Sequence, residues 1–339
     1  MAKVNLLTIH YGKCYGAIMQ TYATCKMLEQ AGHTVHVINL INPAQKQNWK
    51  NISYWKDCVR ELQFWLFKKK YFSELTNKAY TINDIVLPEA DITIVGSDQV
   101  WNRDITGCFG LSFYLDFANT QRKIALSSSF GKEKWDEDKE YTEKVKLLLS
   151  RFDAISVRES TGVKILKEVM GIDSINLSDP TIGYGKFEDL ILNDKPLKQI
   201  FPFLLLDNEN AIQKADHIAK VLGIPLFKHT LMSSRILNGP RQWITRIMNS
   251  EYVITDSFHG LALSLLFNKQ FFIFCASEKK FTRLRSLLKL LSLENRYIES
   301  IEDFDQRKDE LLTPIDYHHV NVILKAERER YNSFVNEVI

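Results

Sequence analysis

The stretch TDSFHG, residues 255–260, has the residue types needed to transfer a proton beside an anion. An apolar run before it and a strongly apolar helical pattern after it place Ser257, His259 and Gly260 between a strand and a helix N-terminus. The backbone N–H groups there lack intrahelical partners, and the helix dipole favours negative charge. We therefore predict that this corner binds an anion and that His259 donates a hydrogen bond or a proton to it.

Two alternatives remain open at this corner. Either Ser257 or Asp256 could cap the helix, since both side chains accept hydrogen bonds from first-turn N–H groups. His259 could instead be a histidine buried in a core or an interface, without a role in chemistry.

A second polar set lies in GSDQVWN, residues 96–102, after another apolar run. Asp98, Gln99 and Asn102 can read sugar hydroxyls, and Trp101 can stack on the face of a sugar ring. The alternative is a turn whose Asp and Asn side chains satisfy the neighbouring backbone.

Arg158, in SVRES, ends a further predicted strand. Its guanidinium is a rigid, permanently charged fork that fits a carboxylate or a phosphate. The alternative is an ion pair within the protein, with Glu159 or Asp153 as the partner.

Small residues mark two more predicted strand ends. In YGKCYGA, Gly12 and Gly16 lie before a helical pattern and would let an anion approach the backbone, unless they only shape a tight turn. Ser129, in ALSSSFG, lies in another strand-end loop, and we include it among the residues expected to line a ligand site.

The elements that must position these residues alternate between strands and helices, which indicates an α/β fold with parallel sheets. The alternation restarts after a boundary at about 183–198, so we predict two domains, 1–190 and 191–320, and a C-terminal helix over 321–339. A helical insertion at about 44–80 interrupts the first domain. In such folds, ligands bind at the carboxyl ends of the strands.

Composition and missing motifs exclude several classes of function. The net charge of +3 argues against a nucleic-acid partner. The five cysteines form no C-x-x-C pair and the histidines lack metal-ligand spacing, so we expect a reduced, cytoplasmic protein without a metal site. The chain has no G-x-G-x-x-G, Walker or G-x-S-x-G motif, and no apolar run of the roughly 18 residues that a membrane span needs.

The segment 54–72 mixes large aromatic residues with Lys68, Lys69 and Lys70. Basic, aromatic helices lie on anionic membrane surfaces, so we expect a weak, salt-sensitive peripheral membrane contact here. The alternative is a helix that packs on its own domain and carries a basic end.

Taken in order along the chain, these stretches resemble the polysaccharide pyruvyl transferase family. The resemblance spans most of the chain and rests on YGAIMQTYA, VGSDQVWN, ALSSSFG, SVRES, LSDPTI, TDSFHGLALSLLFNKQFFIF and FTRLRSLLKLLSLENR. It implies a glycosyltransferase-B-like fold, in which two Rossmann-like domains face a cleft. It also implies transfer of pyruvate from phosphoenolpyruvate to two hydroxyls of a sugar, forming a ketal in a capsule, an exopolysaccharide or its lipid-linked precursor. No cofactor besides this donor is implied.

The resemblance makes the C-terminal domain the donor side, and it assigns donor-binding roles to residues of both domains. Arg158 and His259 match positions that hold the donor's anionic groups, and His259 is the expected acid. Ser257 stands where some members have Arg, so Arg283 or Arg285 is expected to supply that anion contact, beside Gly260.

On the acceptor side, which is the N-terminal domain, Asp98 is the candidate base for a sugar hydroxyl. Asn102, Ser129 and Gly16 are the expected acceptor or loop residues. Cys14 stands where many members have Asn, which leaves the role of the first loop open.

Two other functions remain open. One is a nucleotide-sugar-dependent glycosyltransferase of the same fold, because a fold does not fix a function. The other is a relative that binds glycans without catalysing a reaction.

Overall fold

The structure, a computed structural model of the 339-residue chain, describes residues 1–42, 54–205, 209–227, 239–274 and 278–339. The chain divides into two compact units. The first unit comprises Met1–Gly185 and Glu327–Ile339, and the second comprises Lys186–Ala326. The first part of the predicted helical insertion lies outside the described residues.

The first unit is built on a parallel sheet. Its strands are β1 (Lys3–Leu7), β2 (Thr34–Val37), β3 (Glu74–Leu75), β4 (Ile92–Val95), β5 (Arg122–Ser128), β6 (Ala154–Val157) and β7 (Ile175–Asn176). Within the described residues they form a seven-stranded sheet in the order β3-β2-β1-β4-β5-β6-β7, and each neighbouring pair runs parallel. Strands such as β4, ITIV, are buried along their whole length, as expected for a sheet covered on both faces.

The helices of the first unit follow the strands in the expected alternation. They are α1 (Tyr15–Gln30), α2 (Tyr54–Tyr71), α3 (Arg103–Thr106), α4 (Lys139–Leu149), α5 (Ser160–Ile165, continued by a π-helical turn at Leu166–Met170) and α6 (Pro180–Tyr184). Local sequence explains where some of them begin. Asp138 accepts a hydrogen bond from Tyr141 N at the start of α4, and Asp179 caps α6, where Pro180 takes the first position.

The second unit repeats this plan around a smaller parallel sheet. Its strands are β8 (Leu197–Phe203), β9 (Ser250–Thr255) and β10 (Gln270–Ile273), in the order β10-β9-β8. Its helices are α7 (Glu209–Leu222), α8 (Pro240–Asn249), α9 (Phe258–Leu266), α10 (Glu278–Leu290), α11 (Ile301–Gln306) and α12 (Lys308–Leu312). Single parallel bridges extend the sheet at both edges, from Ile200 to Leu226 and from Ile273 to Tyr297. The last helix, α13 (Tyr317–Val338), begins in the second unit and ends in the first.

The strand orders locate one preferred ligand edge in each unit. In the first sheet, the chain builds outward from β1 in one direction and from β4 in the other, so the order switches between these two strands. In the second sheet, the switch lies between β8 and β9, because the Leu226 bridge adds to β8 while β10 adds to β9. Open parallel sheets bind ligands outside the carboxyl ends of the strands at such a switch point.

Candidate functional site

The switch point of the second unit holds the predicted anion corner. Ser257 is the N-cap of α9, and its Oγ accepts a hydrogen bond from Gly260 N at 3.4 Å. Ser257 N donates to Thr255 Oγ1 at 3.0 Å, and Thr255 Oγ1 donates to the carbonyl of Phe203 on β8 at 2.6 Å. The predicted cap by Ser257 is therefore confirmed, and the helix start is fastened to both strands of the switch point.

Asp256 does not cap the helix; it joins the ends of the two strands. Its Oδ1 accepts a hydrogen bond from Leu205 N, just after β8, at 2.6 Å. The carboxylate therefore fixes the loop after β8 relative to the loop after β9. This resolves the alternative between Asp256 and Ser257 in favour of Ser257.

Gly260 is needed for the close approach of α9 to the strand end. A Cβ at this position would lie 2.4 Å from Thr255 Oγ1 and 3.2 Å from Phe203 Cδ1. Thr255 Oγ1 cannot easily move aside, since it takes part in two hydrogen bonds. Glycine therefore lets the first turn of α9 sit directly on the sheet edge.

His259 is the second residue of α9 and is buried, with 8% of its surface exposed. Its ring packs nearly perpendicular to that of Phe258, with the ring centres 5.3 Å apart. Burial agrees with the alternative of a buried histidine, but the position is a helix N-terminus at the switch point. An imidazole here can donate a proton to an anionic group held by the same helix turn.

The two arginines predicted to assist this corner belong to α10. Arg285 is exposed. The side chain of Arg283 lies outside the described residues. Their part in donor binding stays a prediction.

In the first unit, Arg158 lies at the end of β6 and is buried among carboxylates. Its Nε donates to Glu159 Oε1 at 3.0 Å and its Nη1 donates to Asp179 Oδ2 at 2.9 Å. Only 3% of the Arg158 side chain is exposed. Burial alone would lower the pKa of this guanidinium, but the charges of Glu159, Asp179 and Asp98 outweigh burial and raise it.

Neighbouring groups complete this cluster of ion pairs. Ser129 Oγ donates to Glu159 Oε1 at 2.9 Å, while Ser97 Oγ donates to Asp179 Oδ2 at 3.2 Å. Asp179 Oδ1 accepts from Thr181 N at 2.9 Å as the cap of α6. Ser129 is fully buried, and its hydroxyl bonds Glu159. It therefore does not lie on an exposed loop surface.

The geometry of Arg158 matches the ion-pair alternative. Glu159 is confirmed as a partner, whereas Asp153 is not, because its Oδ2 accepts from Lys123 N at 2.8 Å. Sequence reasoning missed Asp179, which lies 21 residues from Arg158. The Asp–Pro pair that begins α6 is a sequence signal for a helix cap at Asp179, but it does not indicate that an arginine is the partner.

Asp98 lies at the switch point of the first unit, at the carboxyl end of β4. It has a φ of +76°, a left-handed conformation that is uncommon for a residue with a Cβ. Its Oδ1 accepts from Gln99 N at 2.9 Å, and its carbonyl accepts from Ser129 N at 3.1 Å. Strained backbone of this kind persists where the surroundings hold it, and it clusters at functional sites.

Tyr11 follows the neighbouring strand β1 and was not identified from the sequence. Its side chain is buried, and its hydroxyl has no hydrogen-bond partner among the described residues. Burial, together with the charges of Cys108 and Asp98, raises the pKa of Tyr11. A buried hydroxyl without a partner is free to bind a polar ligand group.

Of the two residues predicted to contact a sugar, Trp101 lies in the core, and the polar groups of Asn102 bond within its own turn. Trp101 is buried, its ring stacks on Tyr114 with centres 5.7 Å apart, and its Nε1 donates to the carbonyl of Phe113. It is therefore a core residue and cannot stack on a sugar. Asn102 caps α3 through Asp104 N and donates to Gln99 Oε1, as the turn alternative predicted.

The first loop forms a turn before α1. Gly12 has a φ of +73°, which supports its role in turn geometry, and Gly16 is already the second residue of the helix. Cys14 is exposed at the helix N-cap. Anion binding by this loop stays a prediction.

Across the described part of the chain, no group of three or more His, Cys, Asp or Glu side chains is arranged to hold a metal ion. None of the helices described is long and apolar enough to cross a membrane.

Comparison with known proteins gives a family and a fold. Residues 15–275 match the family model of polysaccharide pyruvyl transferases. No curated protein matches the sequence.

Solved structures resemble this chain over nearly its whole length at low identity. A protein described as a UDP-N-acetylglucosamine 2-epimerase from Listeria monocytogenes has a TM-score of 0.52 and 12% identity, over 98% of this chain and 94% of that one. MnaA from S. aureus with UDP has a TM-score of 0.51 and 12% identity, over 94% and 90%. The glycosyltransferase of kitacinnamycin has a TM-score of 0.50 and 11% identity, over 100% and 99%. These likenesses show the fold, and the predicted glycosyltransferase-B-like class is confirmed.

Proposed function

The chain belongs to the polysaccharide pyruvyl transferase family, and we propose that it transfers pyruvate from phosphoenolpyruvate to two hydroxyls of one sugar, forming a ketal. The family makes it a transferase of polysaccharide pyruvylation with a saccharide acceptor. The acceptor we propose is a sugar of a capsule or exopolysaccharide, carried on a lipid during assembly. Since phosphoenolpyruvate is a metabolite of the cytoplasm, the reaction takes place there.

The reaction needs one acid and one base. A proton adds to the methylene carbon of the donor, which becomes a methyl group and leaves an oxocarbenium-like centre at the neighbouring carbon. One sugar hydroxyl adds to that centre and loses its proton. The second hydroxyl then adds as the C–O bond to phosphate breaks, and its proton leaves with inorganic phosphate. No redox step occurs, so no co-reactant besides the donor is required.

The observation that carries the proposal is the position of His259 in the first turn of α9. The donor has a carboxylate and a phosphate, and a helix N-terminus attracts such groups through its free N–H groups and its dipole. Gly260 and the Ser257 cap bring this turn against the sheet edge. In this role His259 protonates the donor's methylene carbon.

Asp98 is the residue we assign as base for the acceptor hydroxyl. Its strained backbone at the end of β4 fixes the carboxylate at the first unit's switch point. The buried hydroxyl of Tyr11 is suited to hold a second acceptor group nearby. Arg158 acts here as a positioning residue, since its guanidinium holds Glu159 and Asp179 in place.

The test is a reaction with phosphoenolpyruvate and lipid-linked oligosaccharides. We expect release of inorganic phosphate and a mass gain of one pyruvyl ketal on the glycan, matched one to one. Phosphate release without a modified glycan, or no reaction with any saccharide offered, would contradict the proposal. Phosphoenolpyruvate should also raise the melting temperature, and above its Kd the rise should grow with the logarithm of its concentration.

The alternative function is a glycosyltransferase that uses a nucleotide sugar. It is favoured only by the fold, which this chain shares with a glycosyltransferase and with a protein solved with UDP. The same thermal-shift series distinguishes the two. Stabilisation by a nucleotide sugar but not by phosphoenolpyruvate would select the alternative. Stabilisation by glycans alone would select a non-catalytic relative.

A further inference from the structure

Helix α2 packs on the first unit through one face. Phe64 and Phe67 are almost fully buried, with 2% and 4% of their surface exposed. The Phe64 ring lies 5.2 Å from the ring of Tyr15, and the Phe67 ring lies 6.3 Å from that of Tyr22, both on α1. The alternative of a helix packed on its own domain is therefore correct for this face.

The outer face of α2 is apolar and open. Val59, Leu62, Trp65 and Leu66 are 41%, 53%, 49% and 50% exposed. Their spacing of three and four residues places them along one side of the helix. Single exposed apolar side chains are ordinary, whereas four that adjoin on one helix face mark an interaction surface.

The same face ends in positive charge. Lys69 and Lys70 are exposed in the last turn, and the Lys69 ammonium lies 5.2 Å from the centre of the Trp65 ring. Among the described side chains of α2, the acidic one is Glu61, which is 37% exposed and pairs with Lys13 rather than with the two lysines. Lys68 differs from its neighbours because it is half-buried, and burial together with Lys78 lowers its pKa.

Helix α2 also holds the loop that follows β1. Arg60 Nη2 donates to the carbonyl of Lys13 at 3.0 Å, and its guanidinium lies 5.2 Å from the centre of the Tyr15 ring. Lys13 Nζ lies 3.7 Å from Glu61 Oε1. The helix is therefore attached to the edge of the sheet where Tyr11 and Asp98 lie.

We propose that the outer face of α2, formed by Val59, Leu62, Trp65, Leu66, Lys69 and Lys70, docks on an anionic lipid bilayer. The apolar side chains enter the headgroup region, while the two lysines pair with anionic headgroups. This docking rests on the proposed lipid-linked acceptor, because it brings the β1–β4 edge to the surface that carries such an acceptor. A second copy of the chain is the weaker occupant, since one helix face cannot supply the roughly 800 Å² per partner of a standard interface.

The experiment is co-sedimentation of the full chain with vesicles. Wild-type protein should sediment with phosphatidylglycerol–phosphatidylcholine vesicles at low salt, release at high salt, and stay in solution with pure phosphatidylcholine. Lys69→Gln with Lys70→Gln should lower the partition coefficient about fivefold per charge, or roughly 30-fold together. Leu62→Ser with Leu66→Ser should lower it at least about tenfold.

Matched controls come from α4, which also exposes lysines and a leucine. Lys139→Gln with Lys146→Gln removes two exposed lysines from another surface, and separately Leu147→Ser removes one exposed leucine there; both should leave vesicle binding unchanged. Equal losses in the α2 and α4 variants would overturn the assignment of the surface. Wild-type protein that stays in solution with anionic vesicles at low salt would overturn the proposal.

Two further measurements distinguish lipid docking from self-association, and a failure of docking from a failure of the proposed function. If α2 instead binds a second copy, sedimentation velocity without lipid will show a dimer that Leu62→Ser with Leu66→Ser dissociates, which would overturn the proposal. Activity on a delipidated acceptor tests the proposed function independently of docking. We expect the α2 variants to keep that activity and to lose activity only on acceptor embedded in vesicles.

Discussion

Two strand-end clusters look alike in sequence and differ in structure. The Arg158 cluster combines a guanidinium with Glu159 and Asp179, and its charges are paired inside the protein. At the His259 corner, the described hydrogen bonds of Ser257 and Gly260 instead shape a helix start at a switch point. The comparison indicates that an arginine at a strand end can have a structural role. The histidine, by contrast, lies at the switch point, where open parallel sheets bind ligands.

The largest expected effect is on turnover, and it tests whether His259 has a chemical role. His259→Ala should lower kcat by about 10²–10⁴-fold, because a general acid contributes that much. Its unfolding midpoint should stay close to that of the wild type. Steady-state kinetics with phosphoenolpyruvate and urea unfolding give both values, and a variant with wild-type turnover would remove His259 from the mechanism.

The next largest effect is on stability, and it tests the ion pairs of the Arg158 cluster. Arg158→Met should reduce the free energy of unfolding by about 3–5 kcal/mol, because it leaves the buried carboxylates of Glu159 and Asp179 unpaired. Arg103, an exposed arginine paired with two acids, is the control, and Arg103→Met should leave the unfolding midpoint unchanged.

Arg158→Lys separates a structural role from donor binding. It should also destabilise the first unit, since one ammonium cannot replace the fork that reaches both carboxylates. The KM for phosphoenolpyruvate should stay unchanged in the folded variant. A raised KM with unchanged stability would show that Arg158 binds the donor.

Gly260→Ala tests how tightly the His259 corner is built. The added Cβ would lie 2.4 Å from Thr255 Oγ1, so we expect a loss of about 1–3 kcal/mol in unfolding free energy, with lower turnover. Gly107→Ala is the control, because Gly107 has a φ of −58° and its nearest neighbour would lie 3.4 Å away. Equal stability of both variants would mean that α9 is not fastened to the sheet edge.

The smallest effect concerns a second buried histidine, His10. Burial and the charge of Lys68 lower the pKa of His10 to about 4, from 6.5, despite hydrogen bonds with Thr8 and Asn39 that raise it. Since the unfolded chain binds a proton below pH 6.5 and the folded chain does not until about pH 4, stability falls as pH falls through this window. We expect a loss of about 2 kcal/mol between pH 7 and pH 5.

The check is urea unfolding at several pH values. His10→Asn should flatten this pH dependence, while His319→Gln, at an exposed position, should leave it as in the wild type. A wild-type free energy that is constant from pH 7 to pH 5 would contradict a neutral, buried His10.

The sequence was sufficient for features set by local chemistry. The alternation of apolar runs and helical patterns predicted parallel α/β architecture, and the polar residues after the strand limited the cap of the next helix to Asp256 or Ser257, of which Ser257 is the one observed. Both depend on neighbours within a few residues, which the sequence shows directly.

Features set by distant partners could not be read in the same way. The choice of Asp179 rather than Asp153 as the partner of Arg158 depends on β7 and α6 packing beside β6. Trp101 was misjudged for the same reason, since the Tyr114 and Phe113 groups that enclose it follow an irregular segment. The positive φ of Asp98 likewise could not be predicted from the sequence, because Asp is compatible with several turn conformations.

The most direct test of the central claim is the isotopic composition of the product made in D₂O. If His259 protonates the methylene carbon of phosphoenolpyruvate, the ketal's methyl group will carry one deuterium, because imidazole protons exchange with solvent before transfer. Mass spectrometry of the purified glycan measures this together with phosphate release. A ketal with an unlabelled methyl group, or a glycan extended by a sugar from a nucleotide donor, would contradict the account.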